Sequence, residues 1–338
     1  MDFTLDEAQL ELRQAARHFL GVELPLAQAV AQAESPAGWD AQLWPRIAEL
    51  GWLGVSVPAE YGGAGLGFLE EAILLEEFGR SLYPGPYFAT VALALPALAG
   101  EQLAEVASGR RRWSVQIGGE QGLVPNLNQV DLVVVSRGSQ LLAVPAAGEE
   151  VSSVDPTRRL GRLSAGGGEL LLDGEAAVVA SAHIMLRARA SLALEAVGLA
   201  QSVLELGVEH ARAREQFGRP IGSFQAVSHR LADSYTEIEL ARSLSYWAAW
   251  CISRDDPEAA LAAASARAFA AETAVSVCER VIQVFGGLGF TWDAPLHRYY
   301  RRALWLERFG WSPAHCRAEV AAMLLTKPNG REAEAEVP

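Results

Sequence analysis

From about residue 183 to residue 325 the chain is written almost entirely in helical periodicity, broken only by a few glycines and prolines, and this restricts its fold more than any other feature. Val197, Ala200, Leu204 and Val208 recur at helical spacing in a stretch that runs toward Arg214 and stops at Gly218 and Pro220. A second stretch runs from about Ser223 to Arg254, on the order of 48 Å at 1.5 Å per residue. The third opens at Asp256-Pro257, a cap followed by proline at the first helical position, and closes at Gly286-Gly287. A shorter helix follows Pro295, and a last one follows Ser312-Pro313. Long helices joined by short turns bury their apolar stripes against one another, so the spacing predicts a C-terminal four-helix bundle over 183–325. The polar segment 326–338 reads as a disordered tail.

Upstream the texture changes twice. Residues 1–112 alternate helical patterns with turn clusters and read as an α-helical N-terminal domain. Asp6 to Leu20 carries apolar residues at helical spacing, with Thr4 or Asp6 as its cap. A second helix spans about Trp39 to Leu50 and ends at Gly51; a third starts near Gly67 and ends at Gly79. Between them lies Pro58-Ala59-Glu60-Tyr61-Gly62-Gly63-Ala64-Gly65-Leu66-Gly67. Taken alone this is a tight turn between helices, because no strand precedes it and no GK[ST] follows. Residues 113–182 form a small β zone, with strands predicted at Val130–Val135, Gln140–Val144 and Glu169–Leu172. The fold class is therefore mostly α with a small β domain.

Composition narrows the function classes. A net charge of −13 opposes nucleic acid and anionic membrane surfaces as partners, since phosphates would be repelled. It leaves room for a phosphorylated small ligand held by local arginines. Cys251, Cys278 and Cys316 lie far apart without CxxC spacing and read as buried, reduced thiols of a cytoplasmic protein. The acidic start lacks the basic and apolar regions of a signal peptide, and charges interrupt every apolar run that approaches membrane-spanning length. The six histidines show no metal spacing, so no metal site is expected.

Two C-terminal segments carry chemical possibilities. Arg214-Glu215-Gln216-Phe217-Gly218-Arg219-Pro220-Ile221 sits at a helix end, with Phe224-Gln225 opening the next helix. An arginine there either complements the negative end of a helix dipole or pairs with a phosphate or pyrophosphate. Gln283-Val284-Phe285-Gly286-Gly287-Leu288-Gly289-Phe290 ends the third bundle helix, where glycines by themselves signal a cap.

Together these segments resemble the acyl-CoA dehydrogenase family along nearly the whole chain. Pro58 to Gly67 is similar to that family's PxxYGGxGxG loop, and Glu76-Glu77-Phe78-Gly79-Arg80 to its EExGR helix. Arg214 to Ile221 matches RxQFGxPI, followed by the FQ of Phe224-Gln225. Gln283 to Arg301 matches QxxGGxGFTxxxPxxRxxR. The resemblance implies a helical N-terminal domain, a small β domain and a C-terminal four-helix bundle, assembled as dimers or tetramers with FAD at a subunit interface and acyl-CoA as substrate. By motif position, Arg214, Gln216, Phe217 and Gln225 would touch the FAD of a neighbouring subunit. The Gln283, Val284, Phe285, Gly286 and Gly287 backbone would cradle its ADP half.

The same resemblance exposes a gap. Removal of hydrogens from Cα and Cβ of a thioester needs a carboxylate at Cα, its pKa raised by burial. The family's usual glutamate, in YEGT, is replaced here by Gly310, and Trp311 stands where a glycine makes room for flavin. The alternative family position, on the first bundle helix, falls on Ala188. Glu307 is a weak substitute, more in keeping with a surface ion pair to Arg308; Glu195 reads as a polar contact within the bundle. The family's LTE and WIT elements are missing from the β zone, where Trp113 to Ile117 and Val124-Pro125-Asn126 stand instead. Asp155 to Arg159 and Leu296 to Tyr300 resemble a short branch of the family whose unlike subunits form heteromers, some of which desaturate sterol side-chain CoA thioesters. Three readings follow: the base-lacking partner in a heteromer, with a second acyl-CoA dehydrogenase-type subunit and an electron-transfer acceptor; a self-sufficient homomer using Glu307; or a non-enzymatic assembly protein on this fold.

Overall fold

The computed structural model describes residues 5–164 and 166–326, so Thr4 and the tail expected after Thr326 lie outside the described residues. Helix α1 (Glu7–Glu23) begins where Asp6 accepts the Gln9 N–H at 2.8 Å and the Gln9 side chain accepts the Asp6 N–H at 3.1 Å, a reciprocal capping box. Helix α2 (Leu26–Glu34), directly behind Pro25, was not expected, and α3 (Leu43–Glu49) is shorter than the predicted 39–50 helix. Helix α4 (Phe68–Arg80) falls where its glycine punctuation put it. The glycine-rich segment before it is a tight turn: Gly62 and Gly65 have positive φ, and a Cβ on Gly63 would meet the Val57 carbonyl oxygen at 2.0 Å. A π-helical turn (Phe88–Ala94) and α5 (Glu101–Ala107) complete the N-terminal part.

The β zone folds into two small sheets. One has the order β1 (Trp113–Val115), β3 (Leu132–Arg137), β4 (Gln140–Pro145), β7 (Glu169–Asp173); the other β2 (Val124–Pro125), β6 (Leu160–Leu163), β5 (Gly148–Val151). Strands β1 and β3 run parallel, and the remaining pairs are antiparallel, with an irregularity in β4 at Leu141/Leu142. The three predicted strands are present; β1, β2, β5 and β6 are additional.

Helix α6 (Gly174–Ala213) begins nine residues before the predicted boundary at 183, because Asp173 caps it by accepting the Gly174 N–H at 2.7 Å. Helices α7 (Gln225–Ser253) and α8 (Ala259–Phe285) follow the predicted spans closely, except that α8 starts after Glu258 rather than at Pro257. Helices α9 (Leu296–Arg308) and α10 (Pro313–Thr326) close the chain. The α4–α6 contact is the closest in the core. A Cβ on Gly79 would lie 2.3 Å from the Glu195 carbonyl oxygen, and one on Gly198 would lie 1.9 Å from the Glu76 carbonyl oxygen. Glu76 and Glu77 are buried there, Glu76 against Arg242 and Tyr246, Glu77 against Arg17.

By length and composition, α6 and the segment Ala259–Phe290 each contain a stretch apolar enough to cross a membrane, which corrects the expectation that charges interrupt every such run. The physical reason is that both are core helices: 78% of the first stretch and 67% of the second is buried inside the protein. All three cysteines are free and buried.

Candidate functional site

The turn Phe309-Gly310-Trp311, directly after α9, is the junction around which one half of the site is built. Gly310 has φ +75°, a left-handed conformation that favours glycine, and a Cβ there would meet nothing closer than Ile117 Cγ2 at 3.8 Å. It borders two cavities. The larger, about 590 Å³, lies between the Ile117–Leu123 segment, Ser152–Val154 and Leu160 on one side and Leu304, Trp305, Arg308 and Phe309 on the other. The smaller, about 330 Å³, is walled by Ile117, Val134, Leu141, Ile184, Met185 and Trp311 among others. No aspartate or glutamate is found among the described residues lining either one.

Buried cations hold this junction in place. The Arg267 side chain is fully buried, and its Nη2 donates to the carbonyls of Leu306, Glu307 (3.3 Å) and Phe309 (3.0 Å), closing the C-terminal end of α9. Burial pulls its guanidinium down to about 10, still protonated at neutral pH. The Arg189 guanidinium lies 4.9 Å from the Trp311 ring and is held by Glu319 of α10 at 2.7 and 3.0 Å.

Behind the larger cavity lies a buried network that joins three segments. Arg302 of α9 is paired with Asp155 and donates to the Thr157 carbonyl at 3.0 Å and to the Thr157 hydroxyl. Arg158 is paired with Glu195 of α6, and Arg302 reaches the same carboxylate at 3.7 Å. The Arg158 guanidinium sits 5.3 Å from the Phe88 ring and 5.4 Å from the Trp305 ring. Burial lowers its pKa, with Glu195 opposing the shift. Asp155 and Glu195 are each 1% exposed, and Arg302 is fully buried.

The acids weighed from the sequence are held in ion pairs. Glu195 is locked to Arg158 as a contact within the protein. Glu307 is paired with Arg308 at 3.2 Å and borders neither cavity. Ala188 is buried and offers only a methyl group. The roles of Arg302, Arg158, Asp155 and Arg267 were not foreseen. The one signal was the unusual density of arginines in Arg298 to Arg308 and in Arg158-Arg159.

The other half of the site lies at the far end of α6. Arg214 is the residue after the helix, and the chain turns through a two-stranded hairpin, β8 (Glu215–Gln216) and β9 (Arg219–Pro220), before α7 opens at Gln225. Phe217 (φ +55°) and Gly218 (φ +76°) form the two-residue turn, leaving the Phe217 ring 92% exposed. The end of α8 packs on the end of α6 just before this hairpin, where the His210 ring stacks on Phe285, centroids 4.0 Å apart and 15° from parallel. Burial lowers the His210 pKa, and the Arg214 charge adds to the effect. Arg214, Gln216, Phe217 and Gln225 lie around this turn, and Gln283 to Gly287 lie at the end of α8, with Gly286 at φ +62°. Arg214, Gln216, Gln225, Gln283 and Gly287 are all exposed. Ala188 and Arg214 are about 26 residues apart along one continuous helix, about 39 Å. Among the described residues, no group of three or more His, Cys, Asp or Glu is placed to hold a metal ion.

Comparison with known proteins fits this architecture. The family description "Acyl-CoA dehydrogenase, N-terminal domain" matches residues 6–108, and "Acyl-CoA dehydrogenase, C-terminal domain" matches residues 178–323. The acyl-CoA dehydrogenase IpdE2 of Mycobacterium tuberculosis (strain ATCC 25618 / H37Rv) is 33% identical over 307 residues, covering 89% of this chain and 92% of that protein. Among solved structures, a Tcur3481-Tcur3483 steroid ACAD variant superposes with a TM-score of 0.85 at 29% identity, covering 95% of this chain and 99% of the other. The ChsE4-ChsE5 complex from Mycobacterium tuberculosis gives 0.86 at 26% identity, with 97% and 100% covered.

Proposed function

The chain belongs to the acyl-CoA dehydrogenase family, whose members are FAD-dependent flavoproteins, and from that premise we propose that it is the base-lacking subunit of a heteromeric acyl-CoA dehydrogenase. In this reading it lends its dinucleotide-binding edge to the FAD of a partner subunit that supplies the catalytic carboxylate. The observation that carries it is the contrast within one chain. Arg214 and the motif amides Gln216, Gln225 and Gln283 are exposed, whereas no described residue lining the cleft at Gly310 carries a carboxylate.

The donor set suits FAD. A diphosphate needs a cation and N–H donors; Arg214 offers the cation, and the glycine-bearing end of α8 offers backbone that a side chain would otherwise cover. The exposed Phe217 ring and the Gln216, Gln225 and Gln283 amides provide an apolar face and hydrogen bonds for the adenosine half. The flavin ring, when bound, supplies the hydride acceptor. In this reading the edge, about 39 Å along α6 from Ala188, serves a flavin whose ring sits in another subunit. Two of the similar structures favour a mixed assembly, the ChsE4-ChsE5 complex and the Tcur3481-Tcur3483 steroid ACAD variant. The three free, buried cysteines suit a reducing cytoplasmic compartment.

The test is the flavin-to-protein ratio and subunit composition of material purified from its native cell. Two flavins per mixed tetramer are expected. A preparation of this chain alone that keeps a full complement of FAD and desaturates acyl-CoA would refute the proposal. The roomy cavity beside Gly310 is what favours the second reading, a self-sufficient homomer. In that case Glu307→Gln abolishes turnover while FAD stays bound; unchanged turnover rejects Glu307 as the base.

A further inference from the structure

One pocket shares no lining residue with the two cavities at Gly310 or with the dinucleotide edge. It has a volume of about 330 Å³ and opens between the α1 segment and α7. Leu5, Leu10 and Arg13 line one side, and Glu239, Arg242 and Tyr246 the other. Its unusual member is Arg13. Gln9, Arg13 and Arg17 recur every four residues and so share one face of α1, which packs on α4. The outer two are satisfied there: Gln9 donates to Glu70 at 2.9 Å, and Arg17 donates to Glu77 at 2.6 and 3.0 Å. Arg13, half-buried between them, has no ion pair or hydrogen bond among the described residues. The acids across the pocket are already taken. Glu76 accepts from Arg242 at 3.0 Å and from Tyr246 at 2.8 Å, and Glu239 is paired with Arg242. The pocket wall thus carries a guanidinium whose fork of donors is unused.

We propose that this pocket is a binding site for a small organic monocarboxylate, whose carboxylate pairs with Arg13 while its hydrocarbon part lies against Leu5, Leu10 and the Tyr246 ring. A guanidinium meets a carboxylate through two parallel N–H···O bonds, a geometry that a single point charge does not reproduce. At about 330 Å³ the pocket lies at the lower end of the range for small-molecule sites, roughly 300–1,000 Å³, which sets a short tail. Glu239 in the opposite wall repels a second carboxylate and favours a ligand charged at one end only. Inorganic phosphate carries the charge but leaves Leu5 and Leu10 uncovered. An alcohol with the same tail covers them but leaves Arg13 unpaired.

Hexanoate is titrated calorimetrically into the chain, purified with whatever subunit accompanies it, beside 1-hexanol and inorganic phosphate. Hexanoate is expected to bind saturably and at least about tenfold more tightly than either control. Arg13→Gln removes the cation and is expected to weaken hexanoate about tenfold or more, with Arg13→Lys weakening it less. Should Arg13→Gln fold poorly, Ser243→Glu reads the same point. Ser243 is exposed in the pocket wall, and a glutamate there offers Arg13 an internal carboxylate that competes with hexanoate, again for a loss of about tenfold or more. No saturable binding, equal affinity for hexanol, or an affinity that Arg13→Gln and Ser243→Glu both leave unchanged overturns the proposal. Flavin content is expected to stay at the wild-type level in both variants, and hexanoate affinity lost only in step with flavin overturns the proposal as well.

Discussion

Replacing Arg302 by methionine tests the buried network directly. Methionine keeps most of the side-chain length but removes the charge, the pair with Asp155 and the donations to Thr157. Removing one partner of a buried ion pair usually costs about 3–5 kcal/mol, because the remaining charge is left without compensation. Two features place this site at the lower end. Asp155 still accepts from the Thr157 N–H at 2.9 Å and from its hydroxyl at 2.6 and 2.8 Å. The Arg302 charge also disfavours the neighbouring Arg158 charge, so its loss relieves a repulsion. We therefore expect a loss of about 3 kcal/mol. With an unfolding entropy scaled to 338 residues, this lowers Tm by about 4 °C, readable by differential scanning fluorimetry. The double variant Arg302→Met/Asp155→Leu removes both charges and should recover at least about half of that loss. A Tm unchanged in the single variant, or a double variant as unstable as the sum of the two singles, would refute the account of these side chains as mutually compensating.

Three further outcomes follow from close contacts and burial. Gly79→Ala should cost about 1–3 kcal/mol, because its Cβ would press on the Glu195 backbone, whereas Gly21→Ala, in a helix with nothing within 4 Å, should gain about 0.5–1 kcal/mol; thermal melts of the two read opposite signs. His210 has its folded pKa lowered, so the unfolded chain binds the extra proton and stability falls as pH drops below the ordinary histidine value. The Tm difference between wild type and His210→Phe should therefore shift against wild type between about pH 7.5 and about pH 5.5, and a flat difference rejects the burial argument. Arg214→Gln should reduce flavin content in the purified assembly with Tm of the flavin-free chain unchanged, checked by absorbance and melting on the same samples.

The parts of this structure legible in the sequence are those governed by local rules. Glycine and proline marked the ends of α4, α7 and α8, and the two long spaced motifs fall at helix ends, Arg214 to Ile221 after α6 and Gln283 to Gly287 at the end of α8. The start of α6 was misplaced although Ala177, Ala180 and Ile184 are buried at helical spacing, because two of the three are small and the exposed Val178 and Val179 between them, at 62% and 52%, blur the stripe. Strand β5, Gly148-Glu149-Glu150-Val151, is an exposed, acidic strand without alternation and carries no strand signal. The buried arginines were illegible for a different reason. Arg302 sits in a stretch whose charge reads as a solvated face and Arg267 is a lone cation in an alanine-rich helix, and only the tertiary meeting of α8, α9 and the Asp155 loop turns them inward. The glycine at position 310 was legible as a substitution within a motif, and the structure pairs Glu307 with Arg308 and Glu195 with Arg158.

Helix α6 carries one half-site near its start and the other just past its end, without a break between them. Such a rod acts as a ruler. Inserting or deleting one residue between Ala188 and Arg214 would swing one end about 100° relative to the other and shift it about 1.5 Å. A change of length in the β loops leaves this interval untouched, whereas one within α6 alters the spacing of whatever binds near its two ends.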